Sequence, residues 1–327
     1  MSIPPPVPLM RAWVIGKYGD TPVMAKIPVP ALKGSEILIR MHGAEVGDWD
    51  DLVRRGGWPM HRPFPLVLGL AGAGRISAHG PEVSHFRKHD KVFTYSYPLY
   101  DNGAWADYML VPEPYVARAP ASLTLPQAGA VPIVGLTAHE TLHDLLEVKK
   151  GDVVLITAAS GGVGHLAVQM AKKLGGVVVA TAGTEHVEFV RGLGADHVID
   201  YTKENVVDAI RARFPRGIPK ALNGVPGDAA NVYMEVMAEG GHLVDLPGEM
   251  TARRSGVRVK GDYVVQADGD RLARVANLID DGVRVEFSES FDFEHAPQAL
   301  TRVLTKHVRG KLELRVVEHA AQHRQAA

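Results

Sequence analysis

Residues 158–176 read AASGGVGHLAVQMAKKLGG, and this stretch decides the fold of the 327-residue chain. Its motif GVGHLA, at 162–167, has the spacing G-x-G-x-x-A and follows the apolar run VVLIT at 153–157. The first glycine permits a tight turn, the second lets the main chain approach a pyrophosphate, and the alanine lets helix and sheet pack closely. A helix N-terminus adds free N–H groups and a partial positive charge. The stretch predicts a strand, a loop and a helix that bind a dinucleotide; a glycine-rich packing turn is the alternative.

Apolar and amphipathic runs alternate around this motif. The apolar runs VVVATA (177–182) and HVID (197–200) each precede a helical pattern, and HLVDLPG follows later. Strands separated by helical stretches of about 10–15 residues are typical of βαβ units and a parallel sheet. Further helices are expected at about 136–146, after an interruption at Pro132, at 270–281 and at 296–307.

The first 120 residues have a different pattern. Apolar and polar side chains alternate around Glu36–Met41, and prolines and glycines separate short β-branched runs. This is typical of an antiparallel sheet or small barrel. The predicted fold class is therefore α/β, with a doubly wound parallel sheet of the Rossmann type (123–258) inserted in a β-rich domain (1–122 and 259–327).

Composition excludes several kinds of site and partner. The chain has no cysteine, which rules out disulfides, zinc–thiolate sites and thiol catalysis. A formal net charge of −1 provides no basic field for nucleic acid or an anionic membrane. No apolar run has the roughly 18 residues of a membrane span, and the N-terminus does not resemble a secretion signal. We expect a cytoplasmic protein without a metal site, and no H-x-x-x-H ligand pair on a helix.

The end of the second predicted strand bears on which dinucleotide binds. An acid about 20 residues after the glycine motif would bind the ribose 2′-OH of NAD. That position falls near Thr181–Gly183, which is not acidic, and Glu185 comes too late. Without the carboxylate a 2′-phosphate is not repelled, so NADP(H) is favoured, although no basic partner for that phosphate is evident.

Longer segments resemble the medium-chain dehydrogenase/reductase superfamily, in its zinc-independent quinone oxidoreductase and enoyl reductase branch. The resemblance covers nearly the whole chain. Its segments are HGAEVGDWDDLVRRGGWP (42–59), the run from FPLVLGLAGAG to DKVF (64–93), GAWADYMLVP (103–112), VGLTAHETL (134–142), LGADHVIDY (193–201) and GGHLVDLPG (240–248).

This resemblance implies a GroES-like substrate domain around the Rossmann domain, with the active site in the cleft between them. It implies hydride transfer from NADPH without a metal. Zinc-dependent relatives have a Gly-His-Glu where this chain has Gly69-Leu70-Ala71. It also implies a homodimer formed by the edge strands of two Rossmann sheets.

The resemblance also implies which residues meet the cofactor. Some of these residues have a simpler interpretation: Thr137 as a cap or packing residue, Tyr201 as a strand-edge tyrosine, and two valines as core of a strand. The cofactor-binding candidates are Thr137, Gly161, Gly162, Val163, Gly164, Gly183, Thr184, Tyr201, Leu246, Pro247, Val264 and Val265.

Three residues are candidates for the acceptor side. Glu45 stands where the branch usually has an asparagine beside the nicotinamide. A carboxyl in an apolar cleft could act as an acid, although it could equally face solvent or pair with Arg54 or Arg55. Trp58 falls where an aromatic often lies beside the substrate. Tyr95 could supply a phenol or be a half-buried aromatic.

The expected absence of a metal limits the kinds of acceptor that the site can reduce. Without a Lewis acid, a nicotinamide site is suited to acceptors that delocalise their own negative charge. We expect a quinone, an enone or another activated alkene, with an enoyl-CoA thioester as the competing substrate. Arg54, Arg55, Arg62 and the basic run at 253–261 could then contact the CoA phosphates. A cofactor-binding protein with little catalytic activity is the third alternative.

Overall fold

The computed structural model describes residues 7–57, 63–97, 103–261 and 263–316. The chain divides into two compact units. The first consists of Met1–Ile133, Gln266–Asp280 and Phe287–Ala327, and the second of Val134–Val265 and Asp281–Glu286. The domain boundaries expected from the sequence stay predictions, because a compact unit is defined by contacts and not by function.

The strands, in chain order, are β1 (Leu9–Ile15), β2 (Val23–Pro28), β3 (Glu36–Ala44), β4 (Leu66–Val67), β5 (Ala71–His79), β6 (Lys91–Tyr95), β7 (Tyr108–Pro112), β8 (Val116–Arg118), β9 (Val153–Ile156), β10 (Val177–Ala182), β11 (His197–Asp200), β12 (Ile218–Asn223), β13 (Met237–Asp245), β14 (Arg258–Lys260), β15 (Phe287–Asp292) and β16 (Lys311–Arg315). The α-helices are α1 (Asp48–Arg54), α2 (Leu125–Gly129), α3 (Pro132–Glu140), α4 (Gly164–Lys173), α5 (Val187–Gly192), α6 (Val206–Arg213), α7 (Gly269–Asp280) and α8 (Ala296–Leu304).

The second unit is built on a parallel sheet with the order β11-β10-β9-β12-β13-β14. Numbered within the unit, this is 3-2-1-4-5-6, the dinucleotide-binding order whose direction reverses between β9 and β12. Ligands of such sheets bind outside the carboxyl ends of the strands at that reversal. The core is formed by side chains such as Leu155, Val179 and Leu243, which are fully buried. The predicted Rossmann-type sheet is confirmed.

The first unit is β-rich, as predicted. One sheet has the order β15-β16-β3-β5-β6-β8, with β7 also paired to β3, and a second has the order β2-β1-β4. The pairings are antiparallel except that of β15 with β16. No helix within the described ranges is long and apolar enough to cross a bilayer.

Two local expectations were wrong. Pro132 does not interrupt a helix but begins α3, where a residue without an N–H loses nothing because first-turn amides have no intrahelical acceptor. The helix then continues as a π-helical turn over Thr141–Leu145. Val264 and Val265 were expected in a strand, but the last strand of this sheet ends at Lys260. Val265 is buried and Val264 is exposed.

Candidate nucleotide site and acceptor-side residues

The glycine loop joins β9 to α4 through a compact turn. Ala158 has a left-handed backbone, with φ of +48°, and its carbonyl accepts a hydrogen bond from Gly161 N–H at 3.0 Å. A Cβ on Gly164 would lie 2.3 Å from the Ala158 carbonyl oxygen and 2.8 Å from Ala159 Cα. Only glycine fits at the position where α4 begins, so the second glycine of the motif is needed for the loop itself. Gly162 and Val163 complete the turn.

The N-terminus of α4 suits an anion. Its first turn contains no acidic side chain, and Lys172 and Lys173 lie in its last turn. His165 N–H donates to Gly161 O at 3.1 Å, and the helix dipole and the other amides at the start of α4 face no negative charge from α4 itself. The loop, the helix and the strand order together fit a dinucleotide diphosphate.

The carboxyl ends of β10 and β11 bring together the residues predicted for the adenosine side. A Cβ on Gly183 would lie 3.2 Å from the Tyr201 hydroxyl oxygen, and Tyr201 is 55% exposed. Thr184 Oγ1 donates to Asp200 Oδ2 at 2.6 Å and lies 2.8 Å from Thr202 Oγ1. Hydrogen bonds from Thr184 and Thr202 lower the pKa of Asp200, so a carboxylate lies at this edge.

A buried polar network occupies the point where the strand order reverses. Thr157 Oγ1 donates to Asn223 Oδ1 at 2.7 Å, and Asn223 Nδ2 donates to Asp245 Oδ1 at 2.7 Å. Leu246 N–H donates to Asn223 O at 2.9 Å. The hydrogen bond from Leu246 N–H ties the segment directly after β13 to the end of β12. This segment contains Leu246 and Pro247, both predicted to contact the cofactor. Thr137, also predicted for this site, lies buried in α3.

In the first unit, Glu45 is a fully buried member of an ion pair. Its Oε1 lies 3.0 Å from Lys311 Nζ, and Lys311 is itself 4% exposed. Its Oε2 accepts a hydrogen bond at 2.7 Å from Ile133 N–H, one of the first-turn amides of α3. The alternatives considered for Glu45, a carboxylate turned to solvent or paired with Arg54 or Arg55, are wrong. Glu45 is fully buried against Lys311, and the two arginines pair with Asp51 at 2.7 and 2.8 Å.

Two further buried groups, Tyr95 and Asp50, are close enough to Glu45 for its charge to affect their pKa values. Burial raises the pKa of Tyr95, and the nearby Tyr97 and Glu45 raise it further, so the phenol keeps its proton. Burial also raises the pKa of Asp50, whose Oδ2 accepts from Gly47 N–H at 2.9 Å. The expected role of Trp58 falls outside the described residues.

Comparison with known proteins identifies the family. Residues 33–121 match the alcohol dehydrogenase GroES-like domain and residues 193–313 match the zinc-binding dehydrogenase family. An NADPH-dependent alkenal/one oxidoreductase of Arabidopsis thaliana is 32% identical over 93% of this chain and 78% of the relative. The chain belongs to the medium-chain dehydrogenase/reductase superfamily, in its quinone oxidoreductase branch. The predicted family is confirmed.

Two more relatives fit this assignment to the superfamily. The quinone oxidoreductase of Sus scrofa is 30% identical over 85% of this chain and 87% of its own length. The solved structure of the quinone oxidoreductase from Coxiella burnetii superposes with a TM-score of 0.85 at 28% identity. That superposition covers 95% of this chain and all of the other.

One of the two matched families is described as zinc-binding, so possible metal ligands in this chain are relevant. Within the described ranges no three histidine, aspartate or glutamate side chains form a group that could hold a metal. The expectation that no helix has an H-x-x-x-H pair was wrong. His139 and His143 stack on consecutive helical turns, with ring centroids 4.1 Å apart.

Sequence reasoning missed several residues of this medium-chain dehydrogenase/reductase. Lys311 gave no signal, because a lysine at a strand start is usually solvated. Asn223 and Asp245 each end a strand of the parallel sheet, and a search for polar residues at strand ends would have found them. Asp200 could have been found in the same way.

Proposed function

We propose that this chain reduces a conjugated acceptor, such as an activated alkene, an enone or a quinone, with hydride from NADPH and without a metal. The observation that carries the proposal is the glycine loop, placed at the carboxyl end of β9 in a sheet of dinucleotide-binding order. The names of the Arabidopsis and pig relatives support the acceptor class.

Different residues of the second unit bind different parts of NADPH. The loop amides and the start of α4 bind the diphosphate, and Gly183, Thr184 and Tyr201 meet the adenosine side. Thr157, Asn223 and Asp245 hold the strand ends under the nicotinamide half. When bound, NADPH supplies a hydride to the acceptor carbon.

The acceptor needs little from the protein beyond orientation and hydrogen-bond donors. A quinone or enone becomes a phenolate or enolate after it receives hydride, and a few oriented N–H or O–H groups stabilise that oxygen. Tyr95 keeps its proton and can donate. Contact of Tyr95, Glu45 or Trp58 with the acceptor is part of this proposal. The two carboxylate oxygens of Glu45 already have partners in Ile133 N–H and Lys311 Nζ.

The basic side chains favour a small acceptor over an enoyl-CoA. Arg54 and Arg55 are paired with Asp51. Arg253 donates to the carbonyl oxygens of Met250 and Ala252. These guanidinium groups have local acceptors, so they are less available for CoA phosphates.

The test is NADPH oxidation with a panel of quinones, enones and enoyl-CoA thioesters, repeated with NADH and with Glu45→Asn. We expect turnover with quinones or enones and little with the thioesters. Turnover of enoyl-CoA with inactive quinones would reverse the assignment. No turnover with any acceptor, despite NADPH binding, would identify a cofactor-binding protein with little catalysis.

Asp200→Asn should improve the affinity for NADPH. The Asp200 carboxylate lies within hydrogen-bonding distance of Thr184, where a 2′-phosphate would be expected, and removing one negative charge relieves repulsion. We expect the Kd of NADPH to fall roughly threefold to fivefold at low salt while that of NADH hardly changes.

Titration by nucleotide fluorescence measures both constants for this variant. Asp208→Asn is the control, because it removes a charge from the exposed surface of α6 in the same unit. If Asp200→Asn binds NADPH no better than the parent, the carboxylate does not face the 2′-phosphate.

A homodimer and a cytoplasmic location also remain proposals. β14 is the last strand of the parallel sheet, next to β13, in the part of the chain that the structure describes. The edge of β14 that no other described strand covers is the one we propose to pair with a second copy. Light scattering after size exclusion measures the mass, and cell fractionation tests the location.

A further inference from the structure

His165 is a buried histidine inside the glycine motif with a defined hydrogen-bonding state. Its Nδ1 lies 2.8 Å from Gly161 O, and its Nε2 lies 3.3 Å from Glu286 N. A carbonyl oxygen can only accept and a backbone N–H can only donate. These two contacts therefore require the neutral tautomer with the proton on Nδ1.

The imidazole thus connects Gly161, in the glycine loop, with Glu286. Glu286 belongs to residues 281–286, here called the return segment. The return segment lies between α7 and β15 in the sequence but belongs to the second unit. The His165 side chain is fully buried, whereas Gly161 and Glu286 are half-buried, so water has little access to the imidazole end of these bonds.

The same face of α4 binds the rest of the return segment. Gln169 Nε2 donates to Arg284 O at 2.8 Å, and Gln169 Oε1 accepts from Arg284 N–H at 2.8 Å. Lys173 Nζ donates to Asp281 O at 2.8 Å. His165, Gln169 and Lys173 are four residues apart, which places them on one helix face. Of the three, His165 also reaches the glycine loop, where Gly161 O accepts from its Nδ1–H and, at 3.1 Å, from its main-chain N–H.

We propose that His165 is a positioning residue for the nucleotide: its neutral imidazole adds a second hydrogen bond to the Gly161 carbonyl, which His165 N–H already binds, and links the glycine loop to the return segment. The inference rests on the proposed function, because the loop is the site of the diphosphate. When the loop is fixed in advance, the nucleotide does not have to order it on binding. The link also transmits loop occupancy to the return segment.

Three variants separate the two contacts. In His165→Asn the amide can take the place of Nδ1 and donate to Gly161 O. In His165→Gln the longer amide can take the place of Nε2 and accept from Glu286 N–H. His165→Phe can do neither. The control is His79→Phe, in β5 of the other unit, whose Nδ1 also contacts a carbonyl oxygen.

NADPH titration should show the effect of the loop contact. We expect a Kd about tenfold higher for His165→Phe and His165→Gln, and within about twofold of the parent for His165→Asn. The KM for NADPH should rise in parallel, whereas kcat at saturating NADPH should stay within about twofold, since the reacting groups are unchanged. His79→Phe should change neither constant.

Hydrogen exchange of the nucleotide-free chain provides the second readout. The amides of 161–164 should exchange faster in the Phe and Gln variants, and the Glu286 amide faster in the Phe and Asn variants. NADPH should slow exchange at Glu286 in the parent but not in His165→Asn.

The outcomes separate this inference from the proposed function. If His165→Phe binds NADPH within twofold of the parent and its loop amides exchange at the parental rate, the inference is overturned. If the parent binds no dinucleotide, the proposed function and the positioning role both fail. The exchange rates would then show only whether the imidazole holds the loop.

Discussion

Lys311→Met should lower the free energy of unfolding of the first unit by about 3–5 kcal/mol, because it leaves the Glu45 carboxylate buried without its ammonium partner. The pair is 3.0 Å long and both side chains are almost completely buried. Lys311 Nζ also lies 5.0 Å from the centroid of the Trp49 ring, so that contact is lost as well.

Guanidinium unfolding followed by tryptophan fluorescence measures this effect. Trp13, Trp49 and Trp105 belong to the first unit, and residues 134–265 and 281–286 contain no tryptophan, so the signal reports on the first unit. Lys306→Met is the matched control, since its partner Asp48 is about half exposed. That variant should change stability by less than about 1 kcal/mol.

The double variant Glu45→Gln/Lys311→Met isolates the uncompensated charge. Glutamine can still accept from Ile133 N–H but carries no charge, so we expect most of the lost stability to return. If Lys311→Met costs as little as the exposed control, the buried pair is not what stabilises this region.

The second large effect is expected for Gly164→Ala, which should weaken NADPH binding by on the order of 100-fold. The added methyl cannot fit beside the Ala158 carbonyl oxygen, so the loop must move away from the position that binds the diphosphate. We also expect a loss of about 1–3 kcal/mol in the stability of the second unit from overpacking.

NADPH titration and denaturant unfolding followed by circular dichroism measure the two consequences of Gly164→Ala. Gly192→Ala is the matched control, because a Cβ there meets nothing within 4 Å and the residue lies in helix α5. A Gly164→Ala protein that binds NADPH as tightly as the parent would show that the diphosphate does not use this loop.

The nucleotide-binding unit could be predicted because its signals are local. The strand before the glycine loop, the helix after it and the bounds of VVVATA and HVID all follow from short-range patterns, and the structure has β10 and β11 at those residues. The dinucleotide-binding strand order follows from the same βαβ units.

The acceptor side could not be predicted to the same depth, because its contacts join residues far apart in the chain. Glu45 is on the segment after β3, whereas Lys311 begins β16, and no local pattern relates them. Arg54 and Arg55, the partners considered for Glu45 from the sequence, pair with Asp51 instead.

The carboxylate at the adenosine side could not be predicted for a different reason. Sequence reasoning looked for it at the end of the second strand and found none. Asp200 ends the third strand, and in the parallel register it lies beside Ala182, the last residue of β10. A neighbouring strand thus supplies a carboxylate to the same edge, which spacing along one βαβ unit cannot reveal.

The return segment affects how this unit could be transplanted into another protein. A graft that ended at Val265 would omit residues 281–286, including Arg284, whose main chain binds both ends of the Gln169 amide. The side chain of Gln169 would then lose these hydrogen bonds. A working transplant must therefore carry Asp281–Glu286 as a second piece, either spliced on by a new linker or added as a separate peptide.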